Sequence, residues 1–120
     1  MVESVERESQ YPFEINYDEE SDWSDLTIDV EMKEPASSEQ KQELEGIMAG
    51  WANEGINKGY KEGLMHDWDK EENDWDKKDR RLRFWVDMGS SGEDALDVLF
   101  EKLKEMKQIE RVRLGSRYYD

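Results

Sequence analysis

Several stretches of the chain alternate hydrophobic and polar residues with a period of two, which is the pattern of a half-buried β-strand. The clearest are LTIDVEMK, at Leu26–Lys33, and the stretch Leu82–Met88. Shorter alternations predict strands at Phe13–Tyr17 and around Val112–Leu114. A weaker strand is predicted at Gly63–Trp68. It would place three side chains on one side of the sheet: Leu64, His66 and Trp68.

Two other segments repeat hydrophobic residues at helical spacing. The first has the stripe Leu44, Ile47, Met48, Trp51, Ala52 and Ile56. Ser37 and Gln40 precede it with the spacing of a capping box, and Gly59 predicts its end. The second has the stripe Ala95, Leu96, Leu99, Phe100, Leu103 and Met106. The pair Ser90 and Glu93 repeats the capping-box spacing before it.

The predicted element order is β-β-α-β-β-α-β. From Leu26 onward it is βαββαβ, the split βαβ arrangement of ferredoxin-like folds. We therefore predict an α+β fold in which an antiparallel sheet carries two helices on one face and gains an extra N-terminal strand. Residues 1–10 are polar and lack a period, so we expect a disordered tail before a single domain spanning residues 11–120.

Charge narrows the choice of partners. The 120 residues carry a net charge of −15, and twelve acids against two bases fall in residues 1–34. A field of that sign repels nucleic acid and anionic membranes and attracts basic proteins. The chain has no cysteine, which excludes disulfides and a thiol nucleophile. It also lacks a signal-peptide pattern and any apolar run near the roughly 20 residues of a membrane span, so we expect a cytoplasmic protein.

The segment HDWDKEENDWDKKDRR, His66–Arg81, contains the only histidine and the string DWDK twice. Carboxylates and an imidazole could hold a metal ion, but a calcium loop starting at Asp67 would place Glu72 where glycine is needed and Lys78 where glutamate is needed. We predict instead that the DWDK pair forms the charged tip of a hairpin, with His66 partly buried in a strand.

Phosphate binding and catalysis find little support. The turn Asp87–Asp94 is glycine-rich, but no lysine follows in the P-loop manner, and Glu93 and Asp94 place negative charge where a phosphate would bind. Nothing in the spacing sets His66 beside a serine. We therefore predict no enzymatic activity, no catalytic residue, no cofactor and no metal.

The face of the sheet opposite the helices is the most informative candidate surface. The alternation would bring Asp29 and Glu31 near Trp85, with arginines beside them. The aromatic and basic signature of RNA-binding sheets is missing there. The predicted partner-binding residues are Trp23, Asp29, Glu31, Trp85 and Asp87. Alternatively, the tail or a dimer mate covers Trp85, and Trp23 folds back as a lid on the core.

The sequence thus favours a non-enzymatic, monomeric, acidic protein-binding module that masks a basic protein surface, as an inhibitor or immunity-type factor does. Two alternatives stay open. One is a module that binds a small molecule or a divalent cation, and the other is a structural homodimer joined through the sheet.

Overall fold

The computed structural model describes residues 11–17, 22–68 and 74–116, and the predicted tail at residues 1–10 lies outside them. The strands are β1 Glu14–Tyr17, β2 Leu26–Met32, β3 Asp67–Trp68, β4 Asp74–Trp75, β5 Arg81–Asp87 and β6 Ile109–Ser116. The helices are α1 Ser38–Asn57 and α2 Asp94–Leu103, and a 3-10 turn, Trp23–Asp25, leads into β2.

The strands form one mixed sheet in the order β1-β6-β2-β5-β3, and β4 also pairs with β5. Strand β1 is parallel to β6, whereas the pairs β6–β2, β2–β5 and β5–β3 are antiparallel. The α+β class is confirmed, but the prediction of a wholly antiparallel sheet is wrong, and the complete strand order is not the canonical ferredoxin-like one. The reason is topological. The chain reverses direction between β1 and β2, but β6 inserts between them, and a strand antiparallel to β2 then runs parallel to β1.

The hydrophobic core lies between one face of this sheet and the two helices. All six residues of the predicted α2 stripe are buried, and so are Leu44, Met48, Trp51 and Ala52 of the α1 stripe. Inward-facing strand residues such as Ile28 and Phe84 complete the core. Both helical stripes are therefore confirmed as the surfaces that pack on the sheet.

The start and end of α1 follow the sequence signals. The Ser37 hydroxyl accepts the Gln40 amide at 3.2 Å, and the Gln40 side chain accepts the Ser37 amide at 2.9 Å, which completes the predicted capping box. Gly59 has a φ of 73° and donates its amide to the Glu54 carbonyl at 3.0 Å just past the helix. The second predicted capping box is wrong, because the Ser90 hydroxyl accepts the Leu64 amide at 3.1 Å instead.

The glycines of α1 allow a simple stability prediction. A Cβ at Gly46 would enter open space, whereas one at Gly55 would lie 2.4 Å from the Met65 sulfur. Gly46→Ala is therefore expected to stabilise the fold by about 0.5–1 kcal/mol, since alanine costs less backbone entropy in a helix. Gly55→Ala should gain less, because Met65 has to move. Urea unfolding of both variants tests this, and equal gains would contradict the close approach at Gly55.

The first two residues of each DWDK string form a short strand along a sheet edge. Asp67 pairs with Asp87, and Asp74 pairs with Arg83, so β3 and β4 run in the same direction along β5. The prediction that the two strings form a hairpin tip is met only by Asp76 and Lys77, which lie in the turn at residues 76–80 between β4 and β5, whereas Asp67–Trp68 and Asp74–Trp75 are strands. In that turn the Asp76 carboxylate accepts the amides of Arg80 and Arg81, at 2.8 and 3.2 Å, and these bonds lower the pKa of Asp76.

The tryptophans of the two strings attach this edge to α1. The Trp68 indole N–H donates to Asn53 at 3.0 Å, and that of Trp75 donates to Glu45 at 2.8 Å. Trp68 also stacks on Phe84, with 5.2 Å between the ring centroids. The repeated string therefore has a structural role, in which each copy supplies one indole to the same helix.

The chain before β3 differs from the predicted strand at Gly63–Trp68. Met65 and Trp68 are buried, whereas Leu64 and His66 are exposed, so the expected two-residue alternation is absent. The predicted partial burial of His66 is therefore wrong. Contacts with other elements explain the change, because Met65 fills the space left by Gly55 and its amide donates to the Gly55 carbonyl at 3.0 Å.

Candidate protein-binding surface

The outer face of the sheet brings acidic and basic residues together in pairs. In the register, Asp29 of β2 lies between Arg83 of β5 and Arg113 of β6. The Arg83 guanidinium donates two hydrogen bonds to the Asp29 carboxylate, at 2.8 and 2.9 Å. The Asp29 side chain is only 11% exposed. This geometry is the bidentate one that guanidinium and carboxylate favour, so the negative charge of Asp29 is matched within the fold.

The negative charge of Glu31 is also matched by an arginine, in this case from β6, on the other side of β2. Arg111 of β6 donates to Glu31 at 3.2 Å and to Glu14 of β1 at 3.0 Å. One arginine thus joins the acids of two strands, and Glu14, followed by Glu31, raises the pKa of Arg111. On this face the acids of β2 alternate across the strands with the arginines of β5 and β6. Around β2 this face of the sheet is consequently close to neutral, with the predicted arginines beside the acids.

Trp85 is half-buried on this face and bonds to a buried acid. Its indole N–H donates to the Asp25 carboxylate, which also accepts the Ser116 hydroxyl at 3.4 Å. Asp25 belongs to the 3-10 turn before β2 and is 6% exposed. This small network ties the turn to β5 and β6, so the Trp85 ring has a fixed place at the end of the sheet.

Trp23 and Asp87 also have partners within the chain. The Trp23 indole N–H donates to the Ser91 carbonyl at 2.8 Å, which holds this half-buried ring against the core as the lid alternative predicts. The Asp87 carboxylate accepts the Gly89 amide at 2.9 Å and lies 3.5 Å from the imidazole of His66. The structure brings Asp29, Glu31 and Trp85 onto one face and places Trp23 and Asp87 at its border. Their role in partner binding stays a prediction.

The helices carry the charge that the sheet face lacks. Helix α1 contains four carboxylates and one lysine and α2 contains three and one, so together they have seven carboxylates and two lysines. The arginines of the described strands lie on β5 and β6, away from this layer. The two layers of the fold therefore differ in charge, and the helical layer is the more acidic one.

A groove of about 480 Å³ opens where the end of α1 meets α2. We call it the helix groove, and its lining residues are Gly59, Tyr60, Lys61, Asp94, Asp97, Val98 and Glu101. Tyr60 and Val98 supply apolar surface, and three carboxylates follow along α2. The Tyr60 hydroxyl donates to the Trp51 carbonyl at 2.8 Å, and the Asp94 carboxylate accepts the Lys61 amide at 2.7 Å. The groove walls are thus fixed by bonds within the fold.

Sequence reasoning missed the helix groove. The polar side of α2 shows its carboxylates at Asp94, Asp97 and Glu101, a spacing that places them along one side of a helix. The row of carboxylates could therefore have been predicted from the sequence. The position of Tyr60 beside it could not, because it depends on how the two helices pack. The Trp51 indole fixes that packing by donating to the Ala95 carbonyl at 2.8 Å.

A second cavity, of about 230 Å³, lies at the end of the sheet where β2 ends and where β5 and β6 begin. Its lining residues are Glu31, Met32, Asp76, Arg80, Arg81 and Glu110. Acids and arginines are mixed there, and Arg80 donates to the Met32 and Lys33 carbonyls, each at 3.1 Å. This cavity has no dominant charge, so it favours neither a cation nor an anion.

Three further findings concern metal binding, membrane insertion and similarity to known proteins. Within residues 11–17, 22–68 and 74–116, no group of three or more carboxylates or imidazoles is arranged to hold a metal ion. No helix in this part of the chain combines the length and the apolar character needed to cross a bilayer. Comparison of the chain with protein families, with curated proteins and with solved structures gives no match.

Proposed function

We propose that the protein is a non-enzymatic acidic binding module that covers a basic surface on another protein, as an inhibitor or immunity-type factor does. The observation that supports this proposal is the seven-to-two excess of carboxylates over lysines on α1 and α2. On the sheet face Asp29, Glu31 and Glu14 are paired with arginines, which leaves the helical layer as the better source of a negative field. We place this activity in the cytoplasm, in keeping with the absence of cysteine.

The physical basis of this proposal is electrostatic steering. A net charge of −15 on 120 residues accelerates encounter with a basic partner and weakens contact with acidic ones. Surface charge of this kind is screened over about 10 Å at 0.1 M salt. The complex should therefore form fastest at low ionic strength, and its association rate should fall as salt is added.

The fold would serve this function as a rigid support. We propose that the antiparallel strands β6-β2-β5-β3, with α1 and α2 on one face, form a split βαβ unit to which β1 is added at the edge. Such a unit presents both helices on one side, so their carboxylates reach the same partner. The protein would act as a monomer, because like charge on the helical layer opposes self-association.

A capture experiment tests the proposed function. The purified protein is immobilised and exposed to host lysate at low and at moderate salt, and the bound proteins are identified by mass spectrometry. We expect one basic protein to be enriched over an acidic control domain and to be weakened by salt. The proposal would be contradicted if no specific binder were recovered at either salt concentration. It would also be contradicted if the recovered partner were acidic and insensitive to salt.

A further inference from the structure

We propose that the helix groove is the contact point of this module and that it accepts lysine or arginine side chains of a basic protein segment. This inference rests on the proposed function and adds a place and a ligand chemistry to it. Its basis is the combination, in one groove of about 480 Å³, of an apolar floor with a row of carboxylates.

The floor of the groove suits the stem of a basic side chain. Lysine and arginine carry three or four methylene groups that pack on apolar surface while their charged ends reach outward. Tyr60 and Val98 are half-buried and offer such surface. The Tyr60 ring is held by its hydrogen bond to the Trp51 carbonyl, and burial, followed by Glu54, raises the pKa of its hydroxyl, so the phenol stays neutral. A neutral ring face also attracts a cation.

The wall of the groove suits the charged end of that side chain. Asp97 and Glu101 are exposed and lie one helical turn apart on α2, and Asp94 stands near its start. Lys104 lies 2.6 Å from Glu101, in an exposed pair of the kind that contributes little to stability. An incoming cation can therefore share Glu101 at small cost. Lys61 is the one cation among the lining residues, against three carboxylates, and Lys104 beside Glu101 is a second cation at the edge, so the carboxylates remain in excess.

Charge complementarity favours a basic protein segment over other possible occupants of the helix groove. A second copy of an acidic chain would bring further carboxylates to the same wall, and a purely apolar helix would leave three carboxylates facing apolar surface. A volume of about 480 Å³ admits more than one side chain, which favours a segment with two or more basic residues.

The test uses a fluorescein-labelled lysine–leucine peptide as the probe and measures its binding by anisotropy at low and at moderate salt. The groove variant is Asp97→Lys/Glu101→Lys. The control is Glu39→Lys/Glu43→Lys, which reverses two exposed carboxylates with the same four-residue spacing on α1. Both variants change the net charge by +4, so any difference between them reports position. Circular dichroism shows whether each variant is folded.

We expect the groove variant to bind the peptide at least tenfold more weakly than the wild-type protein, and the control to lose threefold or less. Val98→Thr, which keeps the shape but adds a hydroxyl to the floor, should lose severalfold. If the groove variant does not fold, the single variants Glu101→Gln and Glu43→Gln replace the pair.

Four results would overturn the inference. Equal losses in the groove and control variants would show that binding follows total charge, and the proposed function would stand without the groove. A larger loss in the control would move the contact to α1. A dimer in sedimentation that the groove variant abolishes would identify a second copy as the occupant. If the wild-type protein fails to bind the peptide even at low salt, the inference fails, and the capture from lysate decides the proposed function separately.

Discussion

Replacing Trp51 with alanine is expected to lower the free energy of unfolding by about 3–5 kcal/mol, the usual cost of truncating a large buried aromatic residue. Trp51 is fully buried in the middle of α1. Its indole N–H donates to the Ala95 carbonyl at 2.8 Å, so the side chain both fills the core and links the two helices. Alanine at this position would leave a cavity and remove the hydrogen bond that links α1 to the start of α2.

Urea unfolding followed by far-ultraviolet circular dichroism measures this loss. Trp51→Phe is the control, since it keeps most of the volume and removes the hydrogen bond, and it should cost clearly less than the alanine variant. A loss below about 1.5 kcal/mol for Trp51→Ala would show that the site collapses around the smaller side chain, against the packing described here. Because the Tyr60 hydroxyl bonds to the Trp51 carbonyl, the alanine variant keeps that contact only if α1 holds its position.

The second large effect concerns the ion pair between Arg83 and Asp29. Arg83→Met is expected to destabilise the fold by about 3 kcal/mol, because removing one partner of a largely buried pair leaves the other charge uncompensated. The Asp29 side chain is 11% exposed and receives two hydrogen bonds from Arg83. Water can replace only a small part of that interaction.

Two further variants separate the pair from general effects of charge. Adding Asp29→Asn to Arg83→Met should restore about half or more of the lost stability, because the orphaned charge is removed. Arg113→Met changes an exposed arginine on the other side of Asp29 and should alter stability by no more than about 0.5 kcal/mol. If the Arg113 variant costs as much as the Arg83 variant, the assignment of Asp29 to Arg83 is wrong.

The local elements of this fold could be predicted because each depends on residues close in the chain. The two-residue alternation in β2 and β5 and the helical stripes of α1 and α2 depend on which side of an element is buried. The parallel pairing of β1 with β6 could not be predicted, since it joins residues nearly 100 positions apart. The chain before β3 departed from its pattern for a similar reason, because Met65 fits against Gly55 of a distant helix.

For the candidate site, the sequence could predict which residues share a sheet face. The pairing that neutralises Asp29 and Glu31 depends on the register of three strands and on side-chain reach, and neither can be read from composition. The same limit applies to the helix groove, where the spacing of the α2 carboxylates is local but the position of Tyr60 beside them is set by helix packing.

The two indoles that hold α1 also fix a distance. Asn53 and Glu45 are eight residues apart on a helix, or about 12 Å along its axis. The β5 partners of Trp68 and Trp75 are Val86 and Leu82, four residues apart, or about 13 Å along a strand. The two lengths agree, so each indole reaches its partner on α1 from its own position along β5. The two hydrogen bonds together therefore set where α1 lies along β5, and a sliding of the helix by one turn would break both of them.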